Sequence, residues 1–142
     1  MSLPRFITIA AALASLSGCA TGYQSIGFTG GYVEAKAPGN LERVQFAGNG
    51  FVSADLIEQY GVYRAAEFSL SKGKPHFLLY QSLSAAALER PSLKPTIAVL
   101  AGKPVATAYL LLLDAPQAGS RDARATMQQL KQVIDTGKIA SN

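Results

Sequence analysis

The chain has little of what catalytic and metal-binding proteins use most. It contains one cysteine, one histidine (His76) and no tryptophan among its 142 residues. A single cysteine excludes an intrachain disulfide framework and a cysteine-rich zinc module. A single histidine argues against a two-histidine catalytic or metal site. We therefore expect no metal ligands and no catalytic residues in this chain.

Charge is also scarce, and it is evenly spread. Charged residues make up 15% of the chain, and 13 Lys and Arg against 9 Asp and Glu give a formal net charge of +4. No run of like charges occurs, whereas nucleic-acid-binding proteins cluster their cations. We therefore expect no nucleic-acid partner. The hydrophobic content of 49% excludes a disordered tail, and the length suits one domain.

The N-terminus carries the most informative pattern of the sequence. Arg5 precedes an uncharged apolar stretch over residues 6–16, which is shorter than the roughly 20 residues that a membrane-spanning helix needs. A basic residue followed by a short apolar stretch is typical of a secretory signal peptide. We predict that residues 1–18 are a signal peptide that is cleaved off.

The segment Leu16-Ser17-Gly18-Cys19 is similar to the bacterial lipobox, an aliphatic residue and two small residues before a cysteine. This resemblance implies a diacylglyceryl thioether on Cys19, cleavage before Cys19 and an N-acyl chain on its amine. Two or more acyl chains give stable membrane attachment, and we expect no other cofactor. The alternative is a plain signal peptide with a cysteine nearby. Ala20 rather than Asp follows Cys19, which in such lipoproteins favours the periplasmic leaflet of the outer membrane.

The remaining chain divides into a tether and one domain. Residues 19–31 are rich in glycine and serine, and we predict that they comprise the lipidated cysteine and a flexible tether. Residues 32–138 form the predicted domain. Its strands are predicted over residues 32–36, Leu41–Ala47, 77–81, Thr96–Leu100 and 105–113, with helices over Ala54–Ser71 and from an N-cap at Ser120 to a stop at Gly137.

Residues 82–94 are predicted to be a loop with one helical turn. The order of elements is thus ββαβββα. Strands interrupted by two helices favour helices packed on a mostly antiparallel sheet. We predict a small two-layer α+β domain.

Three short motifs follow Cys19 in order. A glycine pair precedes Tyr32, a strand ends in Gly48-Asn49, and a helix carries Arg64-Ala65-Ala66-Glu67. Together they resemble a family of short proteobacterial lipoproteins of unknown function, over residues 19–79. The resemblance implies a lipid-anchored envelope domain and supplies no reaction, ligand or catalytic residue.

Arg64 and Glu67 are the most prominent candidate site. They lie three residues apart on a predicted helix and can therefore meet on one face. As a binding pair they would recognise a polar or anionic group, together with Asn49 and exposed tyrosines. As a structural pair they would tie the helix to the Gly48-Asn49 turn, because buried charges need partners. The structural interpretation is favoured.

Other features have simple structural interpretations. The segment Gly48-Asn49-Gly50 is interpreted as a turn that needs positive φ. Tyr60 and Tyr63 are expected to be core residues with hydroxyl groups in water. His76 lacks a recognisable acid and nucleophile in the sequence.

These observations favour a bacterial cell-envelope lipoprotein that is not an enzyme. Its expected partners are the membrane, through the lipid on Cys19, and an envelope protein; the oligomeric state is left open. The alternative is a periplasmic ligand-binding module for a glycan or an anionic envelope component.

Overall fold

The computed structural model describes residues 22–27 and 30–140. The predicted signal peptide, the lipobox and Cys19 lie outside these residues. The elements in chain order are β1 (Gly31–Lys36), β2 (Leu41–Ala47), α1 (Ala54–Ser71), β3 (His76–Tyr80), α2 (Leu83–Ala87), β4 (Thr96–Leu100), β5 (Lys103–Leu113), β6 (Arg121–Asp122) and α3 (Ala123–Ala140).

Strand β5 is the centre of a six-stranded antiparallel sheet. It pairs with β2 along one edge and with both β3 and β4 along the other. β1 pairs outside β2, and β6 pairs outside β3. Successive side chains of β5 point to opposite faces of the sheet. Ala106, Ala108 and Leu110 lie on the face that meets the helices and are buried there.

Helices α1 and α3 pack on that face and form the second layer. Phe46, Ile57 and Ile134 are buried where β2 and the two helices meet. Ser53 caps α1 as predicted, since its Oγ accepts a hydrogen bond from the backbone N–H of Leu56 at 3.2 Å. The predicted two-layer α+β fold, with two helices packed on a mostly antiparallel sheet, is confirmed.

The start of α3 differs from the prediction. Ser120 does not cap this helix, because its Oγ is engaged with the backbone N–H and C=O of Gln117. The short strand β6 follows instead, and Asp122 is the cap, accepting from the N–H of Ala125 at 2.7 Å. α2 and β6 are the two elements that the predicted order does not contain.

The end of α3 also differs, because Gly137 lies inside the helix. A Cβ at this position would overlap the hydroxyl group of Tyr60. Gly137 is therefore a close-packing residue between α1 and α3, not a helix stop. The Tyr60 hydroxyl was expected to be in water, yet it is buried and has no hydrogen-bond partner among the described residues.

Gly48 has a steric role as well. Neither Gly48, Asn49 nor Gly50 has a positive φ, so the prediction of a positive-φ turn is wrong. A Cβ on Gly48 would overlap the side chain of Val52 and lie 2.9 Å from Ile57 Cδ1. The glycine lets the loop before α1 lie against the core.

We expect Gly137→Ala to lower the free energy of unfolding by about 1–3 kcal/mol through overpacking. Helix propensity alone would raise the free energy of unfolding by about 1 kcal/mol. A decrease would therefore identify close packing as the dominant effect. Urea unfolding followed by circular dichroism measures it. In the companion variant Tyr60→Phe, loss of an unpartnered buried hydroxyl is expected to be neutral or stabilising, and the double variant should recover part of the loss. An unchanged or higher stability of Gly137→Ala would contradict the packing argument.

Candidate functional site: the Arg64 cluster

The side chain of Arg64 lies between α1 and β1, with 14% of it exposed. Its Nε donates to the carboxylate of Glu34 on β1, and its Nη1 donates to Glu67 Oε2 at 2.5 Å. The guanidinium carbon lies 4.1 Å from the centroid of the Tyr32 ring, within cation–π range. We call Arg64, Glu34, Glu67, Tyr32 and Tyr23 the Arg64 cluster.

Tyr23 joins the N-terminal segment to this cluster. Its hydroxyl donates to the same Glu67 oxygen that accepts from Arg64. Its ring lies 5.0 Å from Tyr63 and 5.7 Å from Phe46, measured between centroids. Tyr23 therefore packs against the domain in an aromatic cluster between α1 and β2, whereas residues 24–27 are exposed. The flexible tether over residues 19–31 stays a prediction.

Burial and ion pairing determine the electrostatics of the cluster. Burial alone would lower the pKa of Arg64, but its hydrogen bonds to Glu67 and Glu34 raise that pKa above the ordinary value. The pKa of Tyr23 is raised, mainly by burial and then by its hydrogen bond to Glu67. One guanidinium against two carboxylates gives the cluster a formal charge of −1.

This geometry makes Arg64 a poor receptor for an anion. Its Nε and Nη1 already donate to carboxylates, and the same two carboxylates would repel a second anion. The pair was expected to tie α1 to the Gly48-Asn49 turn. Instead it ties α1 to β1 and to Tyr23, while the Oδ1 of Asn49 accepts from the N–H of Phe51 at 3.0 Å.

The residues predicted for the alternative binding site are not brought together. Tyr80 and Tyr109 lie on the opposite face of the sheet from α1, where they contact Leu41 and Leu111. Tyr32, Tyr60 and Tyr63 pack in the aromatic cluster beside Arg64. The tyrosines therefore do not form one exposed surface with Arg64 and Asn49.

Glu34 and Tyr23 are the members of the cluster that sequence reasoning missed. Alternation along β1 puts Tyr32 and Glu34 on one side of the strand, and this pattern was a signal that Glu34 faces the helices. Tyr23 is an aromatic residue within a segment rich in glycine and serine. The presence of this aromatic residue is the only signal in the sequence that part of the segment packs against the domain.

His76 begins β3, and its Nδ1 lies 4.0 Å from an Asp122 carboxylate oxygen. The nearby hydroxyl of Ser69 donates to the backbone carbonyls of Lys74 and His76, at 2.8 and 3.3 Å. It thus holds the connection between α1 and β3. Among residues 22–27 and 30–140, no three His, Cys, Asp or Glu residues are grouped to hold a metal ion.

A second candidate surface lies on the sheet face away from α1. Two adjoining clefts of about 390 and 300 Å³ share Tyr80, Glu89 and Leu111. Glu89 has a φ of 51°, a left-handed conformation that is uncommon for this residue type. The carboxylate of Glu89 contributes to raising the pKa of Tyr80, after the larger effect of burial. The prediction of a loop over residues 82–94 gave no indication of this cleft.

We expect the two carboxylates around Arg64 to substitute for each other. Glu34→Gln and Glu67→Gln should each cost about 1 kcal/mol of unfolding free energy, because one charged partner is left. The double variant should cost about 3–5 kcal/mol, since it leaves the guanidinium partly buried and unpaired. Urea unfolding of the four proteins gives the coupling energy. Additive losses would show that Arg64 does not depend on both carboxylates.

Alkaline pH should unfold the domain. Burial raises the pKa of Tyr23, Tyr60, Tyr63 and Tyr80 in the folded state, whereas unfolded tyrosines ionise near pH 10. The folded state therefore keeps protons that the unfolded state loses, so stability is full below about pH 10 and falls above it. Tyrosinate absorbance and circular dichroism should change together on titration, and Tyr23→Phe should reduce the slope. Ionisation of these tyrosines near pH 10 with an intact circular dichroism spectrum would contradict this.

In the described part of the chain, no helix has the length and apolar character to cross a bilayer. Comparison with protein-family models, with curated proteins and with solved structures finds no match to this chain. The resemblance to short proteobacterial lipoproteins stays a prediction from the motifs, and the function has to be argued from the residues themselves.

Proposed function

We propose that this chain is a bacterial cell-envelope lipoprotein whose domain has a structural or interaction role rather than a catalytic one. Its signal peptide is removed before Cys19, which then carries a diacylglyceryl thioether and an N-acyl chain. The observation that carries the proposal is Leu16-Ser17-Gly18-Cys19, because the only cysteine of the chain stands where the lipobox needs its thiol. Ala20 favours the periplasmic leaflet of the outer membrane.

The arrangement of the domain supports a non-catalytic role. The most prominent charged residues form a closed network in which each carboxylate accepts from Arg64. The hydroxyl of Ser69 donates to two backbone carbonyls, and the backbone of His76 pairs with Asp122 in β6. These groups are used to hold elements together, so an interaction surface rather than a reaction centre is the simplest use of the domain.

The alternative proposal, a ligand-binding module for a glycan or anionic envelope component, has one supporting observation. The cleft beside the buried Tyr80 is lined by Glu89 and by residues 38–41, among others. Such a combination suits the hydroxyl groups of a neutral sugar better than an anion, because Glu89 would repel a negative ligand.

Cys19→Ala is expected to abolish acylation and release the full chain from membranes, because the thioether bond needs the thiol. Membrane fractionation and mass spectrometry of the mature N-terminal peptide measure this. The wild-type peptide should begin at Cys19 and carry two or three acyl chains. Ser17→Ala, which keeps a small residue in the lipobox, is the matched control and should remain acylated. A Cys19→Ala protein that stays in washed membranes would point to an uncleaved signal anchor instead.

A further inference from the structure

One end of the domain exposes large apolar side chains in the loop before α1 and at the end of β4. Phe51, in that loop, is 73% exposed, and Val99 and Leu100, the last two residues of β4, are 67% and 61% exposed. Lys103, which pairs with Leu100 across the turn between β4 and β5, is exposed too. We call Phe51, Val99, Leu100 and Lys103 the apolar tip.

The two parts of the tip are joined by the main chain. The N–H of Gly48 donates to the carbonyl of Pro104 at 2.8 Å, and Ala47 pairs with Val105. The loop before α1 and the turn between β4 and β5 therefore leave the sheet at the same end. The opposite end carries ion pairs instead, Lys36 with Glu42 and Lys74 with Asp114. The apolar tip and these two ion pairs therefore lie at opposite ends of the domain.

The N-terminal segment enters the domain at the apolar end. Residues 24–26 run parallel to the start of β1, since the N–H of Tyr32 donates to the Gln24 carbonyl and the N–H of Ile26 donates to the Tyr32 carbonyl. Gln24 therefore lies beside the first residues of β1, at the end where this strand begins. Gly31, the first residue of β1, pairs with Ala47 at the base of the tip.

Covalent geometry then limits how far the tip can be from an acylated Cys19. Cys19 precedes Gly22 by three residues, which span at most about 11 Å when fully extended. A free tether from Cys19 to Gly31 would span up to about 40 Å. Because Tyr23 is held by Glu67 and the aromatic cluster, only the short span remains between the lipid and the domain.

We propose that the apolar tip docks into the surface of the bilayer that holds the acyl chains of Cys19. This inference rests on the proposed function. A phenyl ring and two aliphatic side chains suit the boundary between headgroups and acyl chains, and a lysine suits the lipid phosphates. Asp55 is the carboxylate closest to Phe51 in the sequence. It lies in the first turn of α1, where the helix dipole stabilises its negative charge.

The test uses the acylated full chain in vesicles of phosphatidylethanolamine and phosphatidylglycerol. Since acylation consumes the only native cysteine, a second, introduced cysteine is the only free thiol. Phe51→Cys and Leu100→Cys are labelled with an environment-sensitive fluorophore. Leu88→Cys is the matched control, because Leu88 is also 61% exposed but lies at the end of α2, away from the tip.

Labels at positions 51 and 100 should shift to the blue in vesicles and be quenched at least about twofold by nitroxide-bearing lipids, because docked side chains lie about 5–10 Å deep. The label at position 88 should behave as in water. Three labels that are equally exposed to water would overturn the docking. A blue shift at the tip without quenching by lipid would do so as well, because it indicates a protein contact.

The same samples test the docking of the tip and the lipoprotein proposal independently of each other. The mass of the N-terminal peptide reports acylation of Cys19 independently of the fluorophores. An acylated protein with water-exposed tip labels overturns the docking and leaves the lipoprotein proposal standing. An unmodified Cys19 overturns the lipoprotein proposal, and the docking falls with it. Circular dichroism of each labelled variant verifies the fold.

Discussion

The burial of one guanidinium constrains much of this structure. Arginine stays protonated at any pH the cell reaches, so a side chain as buried as that of Arg64 needs fixed anions around it. Glu67 supplies one from the same helix, and Glu34 supplies the other from the edge strand β1. The distance between a helix and a strand is thereby set by a charge requirement as well as by apolar packing.

The same requirement extends to the N-terminal segment. Glu67 Oε2 accepts from both Arg64 and Tyr23, so the hydroxyl of Tyr23 satisfies a carboxylate that the guanidinium alone would satisfy only in part. The ring of Tyr23 meanwhile contacts Tyr32, Tyr60 and Tyr63. Polar and apolar contacts thus favour one position of this residue. One residue of a segment that is rich in glycine and serine consequently becomes a part of the domain.

Sequence reasoning succeeded where local pattern and tertiary structure agree. The strand Leu41–Ala47 and the helix Ala54–Ser71 were predicted with the bounds that the structure has, because alternation and a serine cap are local signals. Only one of the two carboxylate partners of Arg64 was predictable from the sequence. Glu67 follows from helical spacing, whereas Glu34 is 30 residues away and becomes a neighbour only through the placement of β1 beside α1.

The two wrong predictions for α3, its N-cap and its last residue, also come from contacts with residues that are distant in sequence. Ser120 and Asp122 are equally good caps by composition, and the pairing of His76 with Asp122 in β6 decides between them. A glycine near the end of a helical pattern usually stops the helix. Gly137 is needed instead because the hydroxyl of Tyr60, on another helix, leaves no room for a Cβ. No local sequence pattern contains that information.

A docked N-terminal segment changes what a lipid anchor can do for this domain. With a long tether, the anchor would set only the distance from the membrane, and the domain could turn freely. With Tyr23 fixed beside α1, the lipid would also set the orientation, with the loop before α1 towards the bilayer and the ion pair of Lys74 with Asp114 away from it. The cleft around Tyr80, which includes the turn between β1 and β2, would then lie at the end away from the bilayer. An envelope partner that met this cleft would contact residues that the Arg64 cluster does not use.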